Sequence, residues 1–247
     1  MKKQILKIVV VIIIALLIIC VGMAWLVYNG VIQFNHPSEE KYPVRGVDVS
    51  AYQGEIDWDV LAGQGIDFAF IKATEGSSFT DRKFATNYEN AIKTDLRVGA
   101  YHFFSFDSAG STQAENFIKA VYSYKNMLPP VVDVEFYGDY LATPPQNVDA
   151  IKKELQVLLE ALEEEYEMSP IIYATQESYA LFLENDFAEY DIWIRDIFTS
   201  PKLPDGREWT FWQYTNRGQM DGYDGEEKFI DINVFAGTKE EFEKYGF

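Results

Sequence analysis

The run VVDVEF, residues 131–136, sets Asp133 and Glu135 two positions apart among valines and a phenylalanine. A strand rises about 3.3 Å per residue and sends residues i and i+2 to one face, so the two carboxyl groups share a face with Cβ atoms roughly 7 Å apart. Burying two acids side by side is costly unless they are hydrogen-bonded or have chemistry to do. An ionised Asp133 would raise the cost of ionising Glu135 and keep it protonated, giving a proton donor beside a charge. Paired acids of this kind cleave glycosidic bonds through an oxocarbenium-like state, although a D-x-E on a strand also suits a cation site or a salt-bridged core.

Asp48 in RGVDVSAYQG and Asp231 in FIDINVF are likewise flanked by apolar residues. Four acids converging without matching cations disfavour folding and so point to function. Asp231 precedes its apolar run, which would put it at the wrong end of a parallel strand; either the last strands are reversed or this acid is structural. Tyr101, Phe103, Tyr173, Trp193, Trp212 and Tyr214 can offer flat faces to pyranose rings beside hydroxyl and amide donors. Among them Phe103 and Trp212 read better as core, and His102 as a structural histidine.

The elements that must position these groups alternate between short apolar runs and helical patterns, as in βα units around a parallel sheet. Strands are expected at 45–49, 68–72, 97–103, 131–136, 171–174, 191–195, 209–214 and 230–235. Eight strands in about 200 residues predict a compact βα barrel, whose active sites lie at the carboxyl ends of the strands. Several strands end in polar or aromatic groups: Asp48, Lys72, Tyr101, Asp133, Tyr173, Trp193 with Arg195, and Gln213 with Tyr214. Thr112 with Glu115, and Thr143 with Pro144 and Gln146, are expected to cap helices. After the second, Val148, Ile151, Leu155, Leu158 and Leu162 recur at helical spacing.

The chain of 247 residues has a formal net charge of -18. The only charges before Glu39 are Lys2, Lys3 and Lys7, which leaves 18 basic against 39 acidic residues in the remainder. So acidic a surface repels phosphate backbones, and nucleic acid is not an expected partner. Cys20, the single cysteine, lies in the N-terminal apolar run, and His36 and His102 are the only histidines. A disulfide, a thiol nucleophile or a His- or Cys-rich metal site is thus not expected in the main domain, and no cofactor or metal is needed.

Residues 8–27 form an uncharged apolar run of a length that spans a hydrocarbon core as a helix. The lysines before it favour a cytoplasmic segment at 1–7 and an extracellular main domain at 44–247, a single-pass protein of the cell membrane. A cleaved signal peptide, which would make the protein secreted, normally has a shorter apolar region of about 7 to 15 residues and small residues at its cleavage site. Residues 28–43 mix Gly, Pro and charge without periodicity and read as a linker.

The ordered segments RGVDVSAYQGEIDW, FAFIKATEG, VGAYHFF, VVDVEF, IIYA, IWI, FWQYT and DINVF resemble the glycoside hydrolase family 25 lysozymes, over residues 45 to about 236. The resemblance implies an irregular (β/α)8-like barrel whose last strands depart from the parallel pattern. It implies an N-acetylmuramidase acting on peptidoglycan glycan strands, with Glu135 as proton donor and Asp133 orienting the N-acetyl group. Asp48 and Asp231 would hold the charge balance and the sugar, and Tyr101, Tyr173, Trp193, Gln213 and Tyr214 would line the groove of a monomeric catalytic domain. The alternative from another class is a catalytically silent glycan-binding module that tethers membrane to wall; a third reading is a glycosidase of chitin-like polymers. Arg195 and Asp196 depart from the small residue that many members carry after IWI, and are expected to add a salt bridge or a contact to the peptide stem. Cell-wall-binding repeats are not seen in the sequence, and a membrane anchor would substitute for them.

Overall fold

The computed structural model of the chain describes residues 2–246; positions 1 and 247, the outer limits of the two expected end segments, lie outside it. Two units are distinguished, Met1–Phe34 and Asn35–Phe247. The first is dominated by helix α1 (Lys2–Tyr28), with no acidic residue in its first turn and a mean hydropathy of 3.3 over its most apolar stretch. Its 27 residues rise about 40 Å, enough to cross a membrane.

Among the described residues the second unit has nine strands: β1 (Arg45–Val49), β2 (Phe68–Glu75), β3 (Phe79–Thr80), β4 (Arg97–Phe103), β5 (Val131–Val134), β6 (Ile171–Thr175), β7 (Asp191–Arg195), β8 (Phe211–Gly218) and β9 (Ile230–Phe235). Eight of them close a barrel in the order β1-β2-β4-β5-β6-β7-β8-β9, and β3 adds to the side of β2. From β1 round to β8 the neighbours run parallel; β9 alone is reversed, antiparallel to both β8 and β1. The reversal answers the difficulty with Asp231: near the start of β9, it lies level with Asp48 near the end of β1, as its direct partner in the ladder.

Side chains alternate across each strand, so one set fills the barrel and the other meets the helices. The lower interior is closed by Phe68, Phe70, Val131, Ile171, Phe211 and Phe235, packed as one cluster with Trp193 and Tyr173 above them. Gly46 and Gly99 make this possible, because a Cβ at either would lie 2.4 or 2.6 Å from the ring of Phe68 or Phe70. Outside the barrel pack α2 (Trp58–Ala62), α3 (Phe84–Ala91), α4 (Gly110–Ala120) and α5 (Val148–Tyr166), followed by the short α6 (Gln176–Ser178) and by α7 (Lys239–Lys244). The stripe expected on α5 is buried as Ile151, Leu155, Leu158 and Leu162.

Neither expected capping box starts its helix. α4 begins two residues before Thr112, and the Gly110 N–H donates instead to Glu154 Oε2 of α5 at 2.7 Å, a cap supplied from another helix. α5 starts after Asn147, leaving Thr143 and Gln146 in the loop before it, where Gln146 Nε2 donates to the Pro144 carbonyl. Such caps from distant chain carry no local sequence signature.

The segment read as a linker is docked over its later half. Asn35 is buried and its Nδ2 donates to the carbonyls of Asp196 at 3.0 Å and Tyr214 at 3.3 Å. Tyr42 packs its ring on Trp209 and Trp212. Replacing Asn35 by Ala leaves two buried carbonyls short of a donor, a loss of about 1–3 kcal/mol. We expect a thermal midpoint lowered by several degrees in circular dichroism; an unchanged midpoint would mean that this segment does not hold to the barrel.

Candidate active site

The carboxyl ends of the parallel strands and the start of β9 bring all four predicted acids to one mouth of the barrel. Asp48 comes from β1, Asp133 from β5, Glu135 from just past the end of β5, and Asp231 from β9. Asp48, Glu135 and Asp231 line a cavity of about 320 Å³ together with Tyr101, Tyr173, Gln213 and Arg195. Asp133 lies beneath it, 7% exposed.

Amides bridge the acids. Gln213 Nε2 donates to Asp48 Oδ2 at 2.8 Å and to Asp231 Oδ2 at 3.3 Å. Asn233 Nδ2 donates to the same Asp48 oxygen at 2.8 Å. Each amide is itself oriented from below, since Tyr173 OH donates to Gln213 Oε1 at 3.1 Å and Trp193 Nε1 donates to Asn233 Oδ1 at 2.8 Å. Asp48 and Asp231 also interact directly with each other. Asp133 differs: its Oδ1 is buried and has no hydrogen-bond partner among the described residues. An orphaned acceptor of this kind costs free energy in the empty site and is available to a donor on a ligand.

Burial pushes all four carboxyl groups above the usual carboxylate range. Asp133 is pushed furthest of the DxE pair, by its enclosure and then by the charge of Glu135. Glu135 is raised by burial and by Asp48, but Arg195 and Lys72 pull against that rise. The sequence argument had made Asp133 the standing charge; with the depth of each group known, Asp133 is the less easily ionised of the two, and the pair holds a proton to higher pH than isolated acids would. Tyr101 and Tyr173 are raised well above the ordinary phenol value by burial and by these acids, so both remain donors.

Two expected groove residues do not reach the cavity. Trp193 is 2% exposed, stacked on Phe70 at 4.7 Å and covered by Tyr173, so it supports the floor from below. Tyr214 sits one residue after the inward Gln213 and therefore faces outward, packing on Trp212 and accepting from Arg45 Nη2 at 2.9 Å. His102 also faces the helical layer, 2.7 Å from Thr74 Oγ1 and 3.1 Å from Gln113 Oε1, and burial lowers its pKa to about 4. Asp196 turns away to close its own loop, accepting from the N–H groups of Phe198 and Thr199, whereas Arg195 faces the acids. Among the described residues, no group of three or more His, Cys, Asp or Glu side chains is arranged to hold a metal ion.

The family model "Glycosyl hydrolases family 25" matches residues 47–223. The chain belongs to glycosyl hydrolase family 25. As a family 25 member it is a glycoside hydrolase. It is 35% identical over 223 residues to the uncharacterized protein YegX of Escherichia coli K12, covering 88% of this chain and 79% of that one. To Lysozyme M1 of Streptomyces globisporus it is 31% identical over 204 residues, covering 79% and 68%. The solved structure of a family 25 glycosyl hydrolase from Bacillus anthracis superposes with a TM-score of 0.82 at 55% identity, over 87% of this chain and 98% of that one.

Site residues that sequence reasoning missed include Asn233, which bridges Asp48 and Trp193, Asn216 near the end of β8, and Gln53 and Phe229, which line the cavity from the loops. Asn233 had a signal, because it stands two residues after Asp231 on one face of β9. The loop residues had none.

An acid whose pKa is higher folded than unfolded binds its proton more tightly in the native state. Its contribution to stability is therefore complete below the unfolded value and is lost as pH rises through the folded one. For Asp231 the loss begins above its ordinary value of 3.8. Asp231→Asn removes that loss while keeping an acceptor for Gln213. At pH 8 it should stabilise the fold by on the order of 1 kcal/mol, with the gain shrinking toward pH 4. Thermal melts across this range check it; a variant less stable at pH 8 than at pH 4, relative to the parent, would contradict the assignment.

Proposed function

We propose that this family 25 protein is a membrane-attached muramidase that cleaves the β-1,4 bond between N-acetylmuramic acid and N-acetylglucosamine in peptidoglycan. The observation that carries the reading is the joint placement of Asp48, Glu135 and Asp231 in one cavity with Asp133 directly below. A silent glycan-binding module would have no use for so many acids raised by burial.

Glu135 gives its proton to the glycosidic oxygen as the C1–O bond breaks, and takes one back from the water that completes hydrolysis. Its placement suits this role: burial raises its pKa, while Arg195 keeps the group able to ionise in the second step. The unpartnered Oδ1 of Asp133 accepts the N–H of the 2-acetamido group, turning the acetamido oxygen toward C1 so that it assists departure. Such assistance retains the configuration at C1. Asp48 and Asp231, held by Gln213 and Asn233, offset the positive charge that develops on the ring.

The helix α1, with Lys2, Lys3 and Lys7 on its N-terminal side, anchors the enzyme and leaves the barrel outside the cell. Because residues from Asn35 onward dock on the barrel, the segment between helix and barrel is shorter than the 16 residues read from sequence, and the enzyme works on wall close to its own membrane.

Glu135→Gln should lower kcat on purified peptidoglycan by at least about a thousandfold while leaving glycan binding within a few-fold of the parent. Cleavage at near-parental rate by this variant would remove Glu135 from the role of proton donor.

A further inference from the structure

Beside the acid cavity lies a second, larger one of about 620 Å³, walled by Phe136, Tyr140, Leu141, Pro144 and Leu181. The two share Glu135 and Arg195. Their linings contrast. The acid cavity is polar on nearly all sides, as a sugar with many hydroxyl groups requires, whereas the second sets aliphatic and aromatic carbon from Phe136, Leu141, Pro144, Ala180 and Leu181 beside the polar side chains of Tyr140, Thr175 and Glu177. Leu141 is 73% exposed at its rim, an apolar side chain left in water.

The walls are fixed before any ligand arrives. Phe136 packs edge-on against Phe106 and Phe182, and Tyr140 donates to Asp107 Oδ1 at 2.7 Å while Tyr137 donates to Oδ2 of the same carboxylate. Arg195 stands where the cavities meet, the one basic side chain lining either among the described residues. A rigid apolar trough with a single guanidinium at its inner end fits a short chain with small aliphatic groups and a carboxylate, which a planar fork of donors binds well.

We propose that this trough is the subsite for the lactyl-peptide substituent of the muramyl ring, with Arg195 taking the carboxylate of the acidic residue near the start of the stem. The inference rests on the muramidase reading, since it supposes that the sugar whose C1–O bond breaks sits beside Glu135. The substituent leaves that ring two carbons from C1, so it must emerge next to Glu135, where the trough begins. A lactyl group and two residues extend about 10 Å. Their methyl groups lie on Phe136 and Leu181. The enzyme thereby distinguishes a peptide-bearing strand from a bare glycan of the same backbone.

The test compares kcat/KM of the full-length chain in detergent on two substrates: glycan strands bearing their stem peptides, and the same strands freed of stems by an amidase. The parent should prefer the peptide-bearing strand by on the order of tenfold. Leu141→Asp, a change at an exposed position that sets a charge beside the apolar wall, should bring that ratio toward one, and so should Arg195→Gln, whose rate falls on both strands because Arg195 also faces Glu135. Activity of Leu141→Asp on stem-free strands and a parental circular dichroism spectrum of Arg195→Gln report that each variant is folded. A parental ratio near one, or variants that keep the parental ratio, would overturn the subsite while leaving the muramidase reading intact. A parent that cleaves neither strand would overturn both.

Discussion

The structure turns on keeping four carboxyl groups in one enclosed place. Water would solvate each of them, and the barrel mouth removes most of that water. What replaces it is a small set of amide donors, Gln213 and Asn233, both converging on one oxygen of Asp48. These amides in turn are aimed by Tyr173 and Trp193, whose rings belong to the apolar interior. The polar mouth and the aromatic floor are therefore one structure: loosen the packing of Trp193 on Phe70 and the donors to Asp48 lose their direction. Where the network stops, at Asp133 Oδ1, the site is left short of one hydrogen bond. Strain of this sort, retained against stability, belongs to sites with a ligand to receive.

The reversed strand β9 is the second requirement. An all-parallel barrel would send Asp231 to the closed end, beside Phe68 and Phe211. Running antiparallel between β8 and β1, β9 delivers Asp231 beside Asp48 and Asn233 beside Gln213, while Phe235 goes to the floor. One change of direction thus places two polar groups at the mouth and an aromatic ring at the base.

Much of this was legible in the residues themselves. The period-two alternation of VVDVEF and DINVF marks the inward acids, and the eight apolar runs mark the barrel. Asp231 at the start of its run left a choice between a reversed strand and a structural acid, and the antiparallel β9 decides it. Other features escaped for physical reasons. Tyr214 and Gln213 are adjacent, so only one can face inward, and which one does so is fixed by the register of β8 with β7 and β9. The relative ease of ionising Asp133 and Glu135 depends on depth and on Arg195, which comes from a strand sixty residues away. The apolar trough is assembled from two loops and has no pattern of its own.

The central claim, that these acids serve to cut the strand at the muramyl residue, is tested most directly by the products. Purified peptidoglycan digested by the full-length chain would be reduced with borohydride and its fragments identified by mass spectrometry. The account predicts fragments that end in reduced N-acetylmuramic acid. Fragments ending in reduced N-acetylglucosamine, or none at all beyond a control without enzyme, would contradict it.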